Sequence, residues 1–245
     1  MKAIVLIPAR MASTRLPGKP LADIAGVPMI VRVWQQAVAA DVGPVVVAAG
    51  EREIADAITA KGGRAVLISA DLPSGTDRIF AALQTIDAAN QYDVIVNLQG
   101  DLPALDPAYV RVVAETLTAS GADMATLVTD IRDAADNDNT NVPKAVVTWA
   151  GNLGRALYFT RARAPHGEGP LLVHIGIYAY TRAALARFVA LPPSPLEQRE
   201  KLEQLRALEA GMSIAVARVD SVPLAVDTPA DLERARNQLG KKTAS

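Results

Sequence analysis

The fold is indicated by AIVLIPARMASTRLPGK, residues 3–19, in which a short apolar run leads directly into a loop rich in cations. The run from Ala3 to Ile7 is continuously apolar, as is typical of a parallel strand buried on both faces. The loop carries three cations and two hydroxyl groups, on Arg10, Ser13, Thr14, Arg15 and Lys19. Open α/β sheets bind ligands at the carboxyl ends of their strands, and Arg and Lys suit phosphate oxygens. This opening predicts a polyphosphate site, whereas any one of these residues alone could belong to a solvated turn.

Strand-like and helix-like runs alternate through the first half of the chain. The apolar runs predict strands at residues 3–7, 44–49, 64–68, 94–98 and 124–128. The amphipathic segments predict helices at residues 29–40, 51–61, 77–89 and 107–120. This alternation predicts an α/β fold with a Rossmann-like, doubly wound, mostly parallel sheet. Neither a Gly-x-Gly-x-x-Gly fingerprint after the first strand nor a Walker lysine motif occurs, so dinucleotide-binding and P-loop classes are not supported.

The pattern changes after residue 130 and predicts a small mixed β sub-lobe. The expected elements are strands at residues 145–149, 155–159, 172–180 and 214–219, with helices at 196–210 and 229–239. We interpret residues 1–245 as a single domain. Its main part covers about residues 1–130 and 220–240, and the sub-lobe covers about residues 131–219. The tail, residues 241–245, is expected to fray.

Composition excludes several classes of protein. The 245 residues include 25 basic and 26 acidic side chains, a net charge of −1, which argues against a nucleic-acid partner or an anionic membrane surface. The absence of cysteine excludes disulfides, thiolate metal sites and cysteine nucleophiles. We find neither a signal peptide nor a run approaching 18 apolar residues, and we therefore interpret the protein as cytoplasmic with no membrane partner.

Two carboxylates are candidates for a metal site. Asp101 follows the strand at residues 94–98, and Asp227 follows another strand-like segment and precedes the last helix, so both are expected at the ligand edge of the sheet. Mg²⁺ in proteins takes one or two carboxylates together with substrate phosphates and water. The alternative for Asp227 is a helix cap, because a helix start follows it directly.

A strand with uneven faces is a candidate for a small-molecule pocket. Alternation along residues 173–180 places His174, Gly176, Tyr178 and Tyr180 on one face, which we expect to be a shared surface, while the other face enters a core. Gly176 leaves room for a ligand between His174 and Tyr178. The alternative is an exposed polar face.

Seven blocks of sequence, in order along nearly the whole chain, resemble the sugar-acid cytidylyltransferase family. They are PAR…STRLPGKPL (8–21), SGTDR (74–78), VNLQGD (96–101), ALYFTR (156–161), HIGIYAY (174–180), LEQLR (202–206) and VDTP (226–229).

The resemblance implies Mg²⁺-dependent transfer of CMP from CTP to the anomeric hydroxyl of 3-deoxy-D-manno-octulosonate (Kdo), for lipopolysaccharide synthesis, by a homodimer. It implies catalytic roles for Arg10, Arg15, Lys19, Asp101 and Asp227, with Asp101 and Asp227 as the Mg²⁺ ligands. The implied substrate-binding residues are Ala9, Ser13, Ser74, Gly75, Arg78, Gln99, Arg161, His174, Tyr178, Glu203 and Gln204. Within these, Ser74 to Arg78 correspond to the cytosine loop, and Gln99 and the residues from 161 onward correspond to the sugar-acid pocket.

Three departures from the family pattern leave the substrate open. Residues 48–51 read AAGE where a Thr-Asp-Asp turn is usual, Leu72-Pro73 replaces a His-containing pair, and Leu102 replaces a Glu. The alternatives are a cytidylyltransferase for another sugar acid, of sialic or amino-substituted type, or a non-catalytic nucleotide-binding homologue.

Overall fold

The structure is a computed structural model that describes residues 1–242, without the side chains of Lys241 and Lys242. The chain divides into two compact units. The first unit comprises residues 2–111 and the segment from Pro223 onward, and the second comprises Met1 and residues 112–222. The last helix continues to Lys242, and residues 243–245, the rest of the tail that is expected to fray, lie outside the described residues.

The first unit is built on a parallel sheet. Its elements are β1 (Ala3–Ala9), β2 (Asp23–Ile24), β3 (Val27–Pro28), α1 (Met29–Ala39), β4 (Val45–Ala49), α2 (Arg52–Thr59), β5 (Arg64–Leu67), α3 (Gly75–Ile86), β6 (Val94–Asn97), the start of α4 (Pro107–Ser120) and the last helix, which is α8 (Pro229–Lys242). The strand order is β5-β4-β1-β6, and all three pairings are parallel. The predicted parallel strands of this half are therefore present, and the carboxyl ends of β1 and β6 lie side by side.

Burial of apolar side chains stabilises the positions of β1 and α8 in the first unit. Ile4 to Ile7 of β1 are at most 1 % exposed, as a strand covered on both faces requires. α8 returns from the end of the chain to the first unit by burying Leu232, Ala235 and Leu239 against Ile24 and Met29. Each large aliphatic side chain buried in this way contributes about 1.5–3 kcal/mol to stability. The return of the chain places the segment that carries Asp227 in the first unit.

The second unit contains a mixed sheet, as the sequence predicts. Its elements are the end of α4, then β7 (Met124–Asp130), β8 (Lys144–Ala150), β9 (Leu153–Thr160), β10 (Leu172–Thr181), α5 (Arg182–Ala190), α6 (Pro195–Glu200), α7 (Leu205–Glu209) and β11 (Ile214–Arg218). The order is β10-β7-β11-β9-β8, in which β7 and β11 pair in parallel and the other neighbours pair antiparallel. β7 belongs to this unit, which differs from the sequence-based expectation that residues 112–130 lie in the main part.

Two differences from the predicted elements concern helices. The helix expected at residues 196–210 is two short helices, α6 and α7, because Lys201 adopts the left-handed conformation with φ of 57° and ends α6. Helix α5 was not predicted, and it starts at Thr181, whose hydroxyl accepts a hydrogen bond from the Ala184 N–H. Within residues 1–242, no helix combines the length and apolarity needed to cross a membrane.

Each unit holds one of the two tryptophans of the chain. In the first unit Trp34 of α1 lies against Gly63, where an added Cβ would come within 2.8 Å of the indole. In the second unit Trp149 of β8 lies against Gly154 in the same manner, and the Arg218 guanidinium stacks 5.1 Å from its ring centroid. Glycine is required at both positions because any side chain would collide with an indole.

Candidate active site

A cavity of about 690 Å³ opens at the carboxyl edge of the parallel sheet, beside the ends of β1 and β6. It is lined by Pro8, Ala9, Arg10, Ala12, Ser13, Thr14, Arg15, Lys19, Pro20, Ser74, Gly75, Arg78, Gln99, Gly100 and Asp101. The structure thus brings together every site residue that the sequence places in the first unit except Asp227, which is linked to the cavity through Lys19 and Arg15.

The cationic loop after β1 has a defined backbone conformation. Gly18 has a φ of 69°, which glycine adopts without the strain a side chain would add, and its N–H donates to the Met11 carbonyl at 3.3 Å. Residues Lys19–Leu21 then form one turn of 3-10 helix. This turn closes the loop and fixes where the Lys19 side chain starts.

Residues 48–51, which differ from the family pattern, form hydrogen bonds with this loop. The Met11 N–H donates to the Glu51 carboxylate at 2.8 Å, and the Gly50 N–H donates to the Ala9 carbonyl at 2.8 Å. A Cβ added to Gly50 would lie 3.2 Å from the Arg10 Cβ and 3.3 Å from the Arg78 guanidinium. Gly50 therefore gives both arginines room, and Glu51 binds the loop backbone. Sequence reasoning missed Glu51, although its position after β4 at the ligand edge could have indicated it.

The two candidate metal ligands meet at one cation. The Lys19 Nζ lies 2.9 Å from Asp101 Oδ2 and 2.9 Å from Asp227 Oδ1, and the Arg15 guanidinium lies 3.3 Å from Asp227 Oδ2. Burial lowers the pKa of the Lys19 ammonium, but the charges and hydrogen bonds of the two carboxylates outweigh burial and raise it above its ordinary value. Lys19 is therefore charged, and the two carboxylates converge on it from segments 126 positions apart.

Thr228 and Asp231 cap the start of α8, so Asp227 is not needed as the helix cap. The Thr228 hydroxyl accepts the Asp231 N–H at 3.3 Å, while the Asp231 carboxylate accepts the N–H groups of Asp227 and Thr228. These bonds, together with the Arg234 and Thr228 side chains, lower the pKa of Asp231 to about 2 although burial opposes them. The Val226 N–H donates to the Asp101 carbonyl at 2.9 Å, which ties the two segments together. The Asp227 side chain is thus available to Lys19 and Arg15.

The segment Ser74 to Arg78 begins α3 at the cavity. Ser74 caps the helix by accepting the Asp77 N–H, and an added Cβ on Gly75 would lie 3.2 Å from the Pro8 ring. Arg78 is 2 % exposed and donates to the carbonyls of Ser69 and Ala70 at 2.8 and 3.1 Å. Burial lowers the pKa of Arg78, and nearby Arg10 lowers it further. Arg78 therefore shapes the backbone of the cavity wall.

Gln99 is held at the cavity edge by a chain of buried amides. Its Nε2 donates to Asn97 Oδ1 at 3.1 Å, and Asn97 Nδ2 lies 3.4 Å from the Thr76 hydroxyl. Asn97 is 1 % exposed. The hydrogen bond from the Gln99 amide nitrogen to Asn97 fixes the orientation of the Gln99 side-chain amide, including its carbonyl oxygen. Asn97 and Thr76 were not identified from the sequence.

The remaining predicted site residues lie in the second unit, where His174 contacts two of the others, Gln204 and Tyr178. Its Nε2 is 3.0 Å from the Thr126 hydroxyl and its Nδ1 is 3.5 Å from the Gln204 amide, with Tyr178 at a ring separation of 5.5 Å. The side chain is buried, which lowers the pKa of His174 from 6.5 to about 3, so the imidazole is neutral. Burial first, then Tyr180 and Glu203, raise the pKa of Tyr178 well above its ordinary value.

The expectation that His174 and Tyr180 share an open surface is wrong, since they are 7 % and 1 % exposed. A register shift between Ile175 and Tyr178 breaks the simple alternation of β10, and both of its faces are largely covered. Space remains beside Gly176, where an added Cβ would meet no atom within 4 Å. The room for a ligand between His174 and Tyr178 stays a prediction.

Arg161 uses its guanidinium to hold the turn between α6 and α7. It donates to the carbonyls of Glu200, Thr140 and Lys201 at 2.7, 2.9 and 3.3 Å. The Glu200 carboxylate in turn accepts the Arg161 N–H and the Thr160 hydroxyl, both at 2.8 Å. This reciprocal pair fixes the segment that continues to Glu203 and Gln204. Glu200 was not among the residues predicted to be functional.

The donor set for a metal is limited to the facing carboxylates. Within the described residues no group of three or more His, Cys, Asp or Glu side chains converges. Asp101 and Asp227 supply oxygen only, and their side chains are 28 % and 41 % exposed, so water and a ligand can complete a coordination shell. Oxygen ligands that leave positions for water and phosphate suit Mg²⁺.

A parallel sheet whose first loop presents cations to a cavity, beside two carboxylates, suits a nucleotidyltransferase. Comparisons with known proteins narrow this class. A family model described as cytidylyltransferase matches residues 4–214. The chain is 63 % identical over 241 residues to a 3-deoxy-manno-octulosonate cytidylyltransferase of Parvibaculum lavamentivorans, covering 98 % of this chain and 93 % of the relative. It is 59 % identical to the protein of the same name from Rhodospirillum centenum, covering 99 % and 95 % of the two chains.

Solved structures agree. The structure of a CMP:2-keto-3-deoxy-manno-octonic acid synthetase complexed with CTP superposes with a TM-score of 0.92 at 37 % identity, covering 99 % of this chain and 100 % of the other. A cytidylyltransferase from Leptospira borgpetersenii, at 17 % identity and a TM-score of 0.62, covers 98 % of this chain and 87 % of its own and shares the fold alone. The chain belongs to the cytidylyltransferase family, in the branch of the 3-deoxy-manno-octulosonate cytidylyltransferases.

Proposed function

We propose that the protein transfers CMP from CTP to the anomeric hydroxyl of Kdo and releases pyrophosphate, as a step of lipopolysaccharide synthesis. The observation that carries the proposal is the cavity after β1, where Arg10, Arg15 and Lys19 stand beside Asp101 in a chain about 60 % identical to relatives of that name. Three cations match the charge of a triphosphate, and a cavity of about 690 Å³ is large enough for a nucleotide.

The nucleotide is proposed to lie with its triphosphate on the loop after β1 and its base at the start of α3. Ser74, Gly75 and Arg78 line the cavity at the start of α3, and the backbone there would offer fixed polar groups to the base. A site with fixed hydrogen-bonding groups rejects the wrong base strongly, because that base leaves polar groups unpaired. CTP is therefore expected to be preferred over ATP and GTP.

Asp101 and Asp227 would hold Mg²⁺, which when bound neutralises phosphate charge and polarises the phosphorus–oxygen bond under attack. Arg15 and Lys19 bind the phosphates and stabilise the charge that develops on the leaving pyrophosphate. The sugar hydroxyl loses its proton and attacks the α-phosphate in line, and the bond between the α- and β-phosphates breaks to release pyrophosphate. The chain supplies position and charge and no nucleophile of its own, which agrees with the absence of cysteine.

The sugar acid is proposed to bind residues of the second unit. His174, Tyr178, Glu203 and Gln204 supply neutral and acidic hydrogen-bonding groups suited to a polyol. Arg161 is assigned here by its family match, and its contacts with three carbonyls give it the further task of holding the turn before Glu203.

The proposal also covers the oligomeric state, the location in the cell and the arrangement of the sheet. A homodimer is supported by the family resemblance, and a cytoplasmic location by the use of CTP, which cells make in the cytoplasm. A Rossmann-like, doubly wound arrangement is supported by the parallel order β5-β4-β1-β6 and by the helices between these strands.

The test is pyrophosphate release from CTP and Mg²⁺ in the presence of Kdo, an amino-substituted Kdo or a sialic acid. We expect release with Kdo at the highest kcat/KM, and none after Asp101→Asn. Asp106→Asn, which changes an exposed carboxylate in the loop before α4, is the matched control and should remain active. Binding of CTP with no release for any sugar acid would instead identify a non-catalytic homologue.

A further inference from the structure

Lys19 occupies the point between the two carboxylates proposed to hold Mg²⁺. Its Nζ is 2.9 Å from an oxygen of Asp101 and 2.9 Å from an oxygen of Asp227, and its side chain is only 16 % exposed. A metal ion held by Asp101 and Asp227 would compete with the ammonium group for these carboxylates. Two cations at the same pair of carboxylates repel strongly, so Lys19 and the metal cannot hold both oxygens together.

The local charges are already balanced without a metal. Asp101 and Asp227 contribute two negative charges, and Lys19 and Arg15 contribute two positive charges within 3.3 Å of them. A divalent cation approaching this group gains little net attraction. It must also break two charge-assisted hydrogen bonds of Lys19, which are among the stronger contacts of this kind.

We infer that Lys19 is a resident cation that aligns the two carboxylates and excludes divalent metal from the nucleotide-free protein. It leaves this position when a triphosphate enters the cavity and offers it new anionic partners. This inference rests on the metal site assigned to Asp101 and Asp227 in the proposed function. It adds an order of events, in which the carboxylates become available to the metal only with the nucleotide.

The position of Lys19 permits the exchange. It lines the same cavity as Arg10 and Arg15, so a triphosphate bound by the arginines lies within reach of its flexible four-carbon stem. The carboxylates do not depend on Lys19 alone for their position. Asp101 accepts the Val226 N–H through its backbone, and Asp227 is followed directly by the capped start of α8.

Manganese is the probe, because Mn²⁺ replaces Mg²⁺ at oxygen sites and its free concentration can be followed by paramagnetic resonance in the absence of nucleotide. We expect Lys19→Met to bind one Mn²⁺ about tenfold more tightly than the wild type, the sum of two partly exposed ion pairs removed. Lys19→Arg keeps the charge and should bind as weakly as the wild type. Lys61→Met removes an exposed lysine beyond α2 and controls for net charge. Circular dichroism checks that each variant is folded, and Lys19→Gln replaces Lys19→Met if the latter is not.

Unchanged or weaker Mn²⁺ binding by Lys19→Met would overturn the inference, and so would equal tightening in Lys19→Arg or Lys61→Met. Adding Asp101→Asn to Lys19→Met should abolish the gained affinity. If the gain survived, Mn²⁺ would be bound elsewhere and the inference would fail with the metal site. Pyrophosphate release by the wild type is measured separately, so failure of the transferase activity is distinguished from both outcomes.

Discussion

His174 gives the second unit a stability that depends on pH. Its imidazole is buried, contacts Thr126 and Gln204, and has a pKa lowered from 6.5 to about 3 by burial. In the unfolded chain the same group takes a proton near pH 6.5. The unfolded state therefore binds more protons between these two values, and the contribution of His174 to the free energy of unfolding is lost as pH falls through this window.

The size of the effect follows from the two pKa values. At about pH 5 the pH is about 1.5 units below the pKa of the unfolded imidazole, which is therefore protonated, while the folded imidazole is neutral. This difference lowers the free energy of unfolding by about 2 kcal/mol. Near pH 7.5 both forms are neutral and the difference is about zero. Replacement by glutamine removes the titrating group. As the pH falls from about 7.5 to about 5, we therefore expect the free energy of unfolding of His174→Gln to decrease by about 2 kcal/mol less than that of the wild type.

The assay is urea unfolding of wild type, His174→Gln and His166→Gln at both pH values, followed by circular dichroism. His166 lies in an exposed loop, so its variant should keep the wild-type pH dependence. The imidazole resonances of the two histidines give an independent reading, and that of His174 should not titrate above pH 5. A His174 resonance that titrates near pH 6.5, or identical pH dependence in His174→Gln and the wild type, would refute the reasoning.

Three further predictions concern named side chains. Asp101→Asn, Asp227→Asn and the double variant should all be nearly inactive at saturating CTP and Mg²⁺, since groups that act as a unit are not additive; an active Asp227→Asn enzyme would remove Asp227 from the metal site. Arg15→Ala should slow CMP transfer about a hundredfold with no change in urea midpoint, and wild-type kinetics would exclude its role. Glu200→Gln should lower the free energy of unfolding by about 1–2 kcal/mol, because the carboxylate that accepts the Arg161 N–H and the Thr160 hydroxyl becomes an uncharged amide with weaker hydrogen bonds. Calorimetric CTP affinity should be unchanged in that variant, and a stability equal to the wild type would show that the charge of Glu200 does not strengthen these bonds.

The parts of the site that are local in sequence could be predicted. The loop from Arg10 to Lys19 follows a continuously apolar strand, and Ser74 precedes a helical pattern, so neighbours within a few residues determine both features. Their placement at one edge follows from the parallel order of β1 and β6. The convergence of Asp101 and Asp227 was expected because both were placed directly after strands, although the strand before Asp227 ends at Arg218.

The features that were missed depend on partners distant in sequence. Lys201 interrupts a helical pattern because Arg161, 40 residues earlier, binds the carbonyls of Glu200 and Lys201. Glu51 reaches the backbone of Met11 across 40 positions. Helical periodicity contains no information about either contact, since each requires the folded chain to bring the two segments together. The burial of His174 was missed for a related reason, because alternation cannot show that a second layer covers the other face of β10.

The two tryptophans, each set against a glycine, provide the chain with a natural optical label in each unit. Trp34 reports on α1 of the first unit, and Trp149, stacked under Arg218, reports on β8 of the second. Replacing either indole with phenylalanine leaves a single emitter in a known environment. Unfolding followed by fluorescence in the two single-tryptophan proteins then shows directly whether the nucleotide-binding half and the other half lose their structure in one cooperative event or in two.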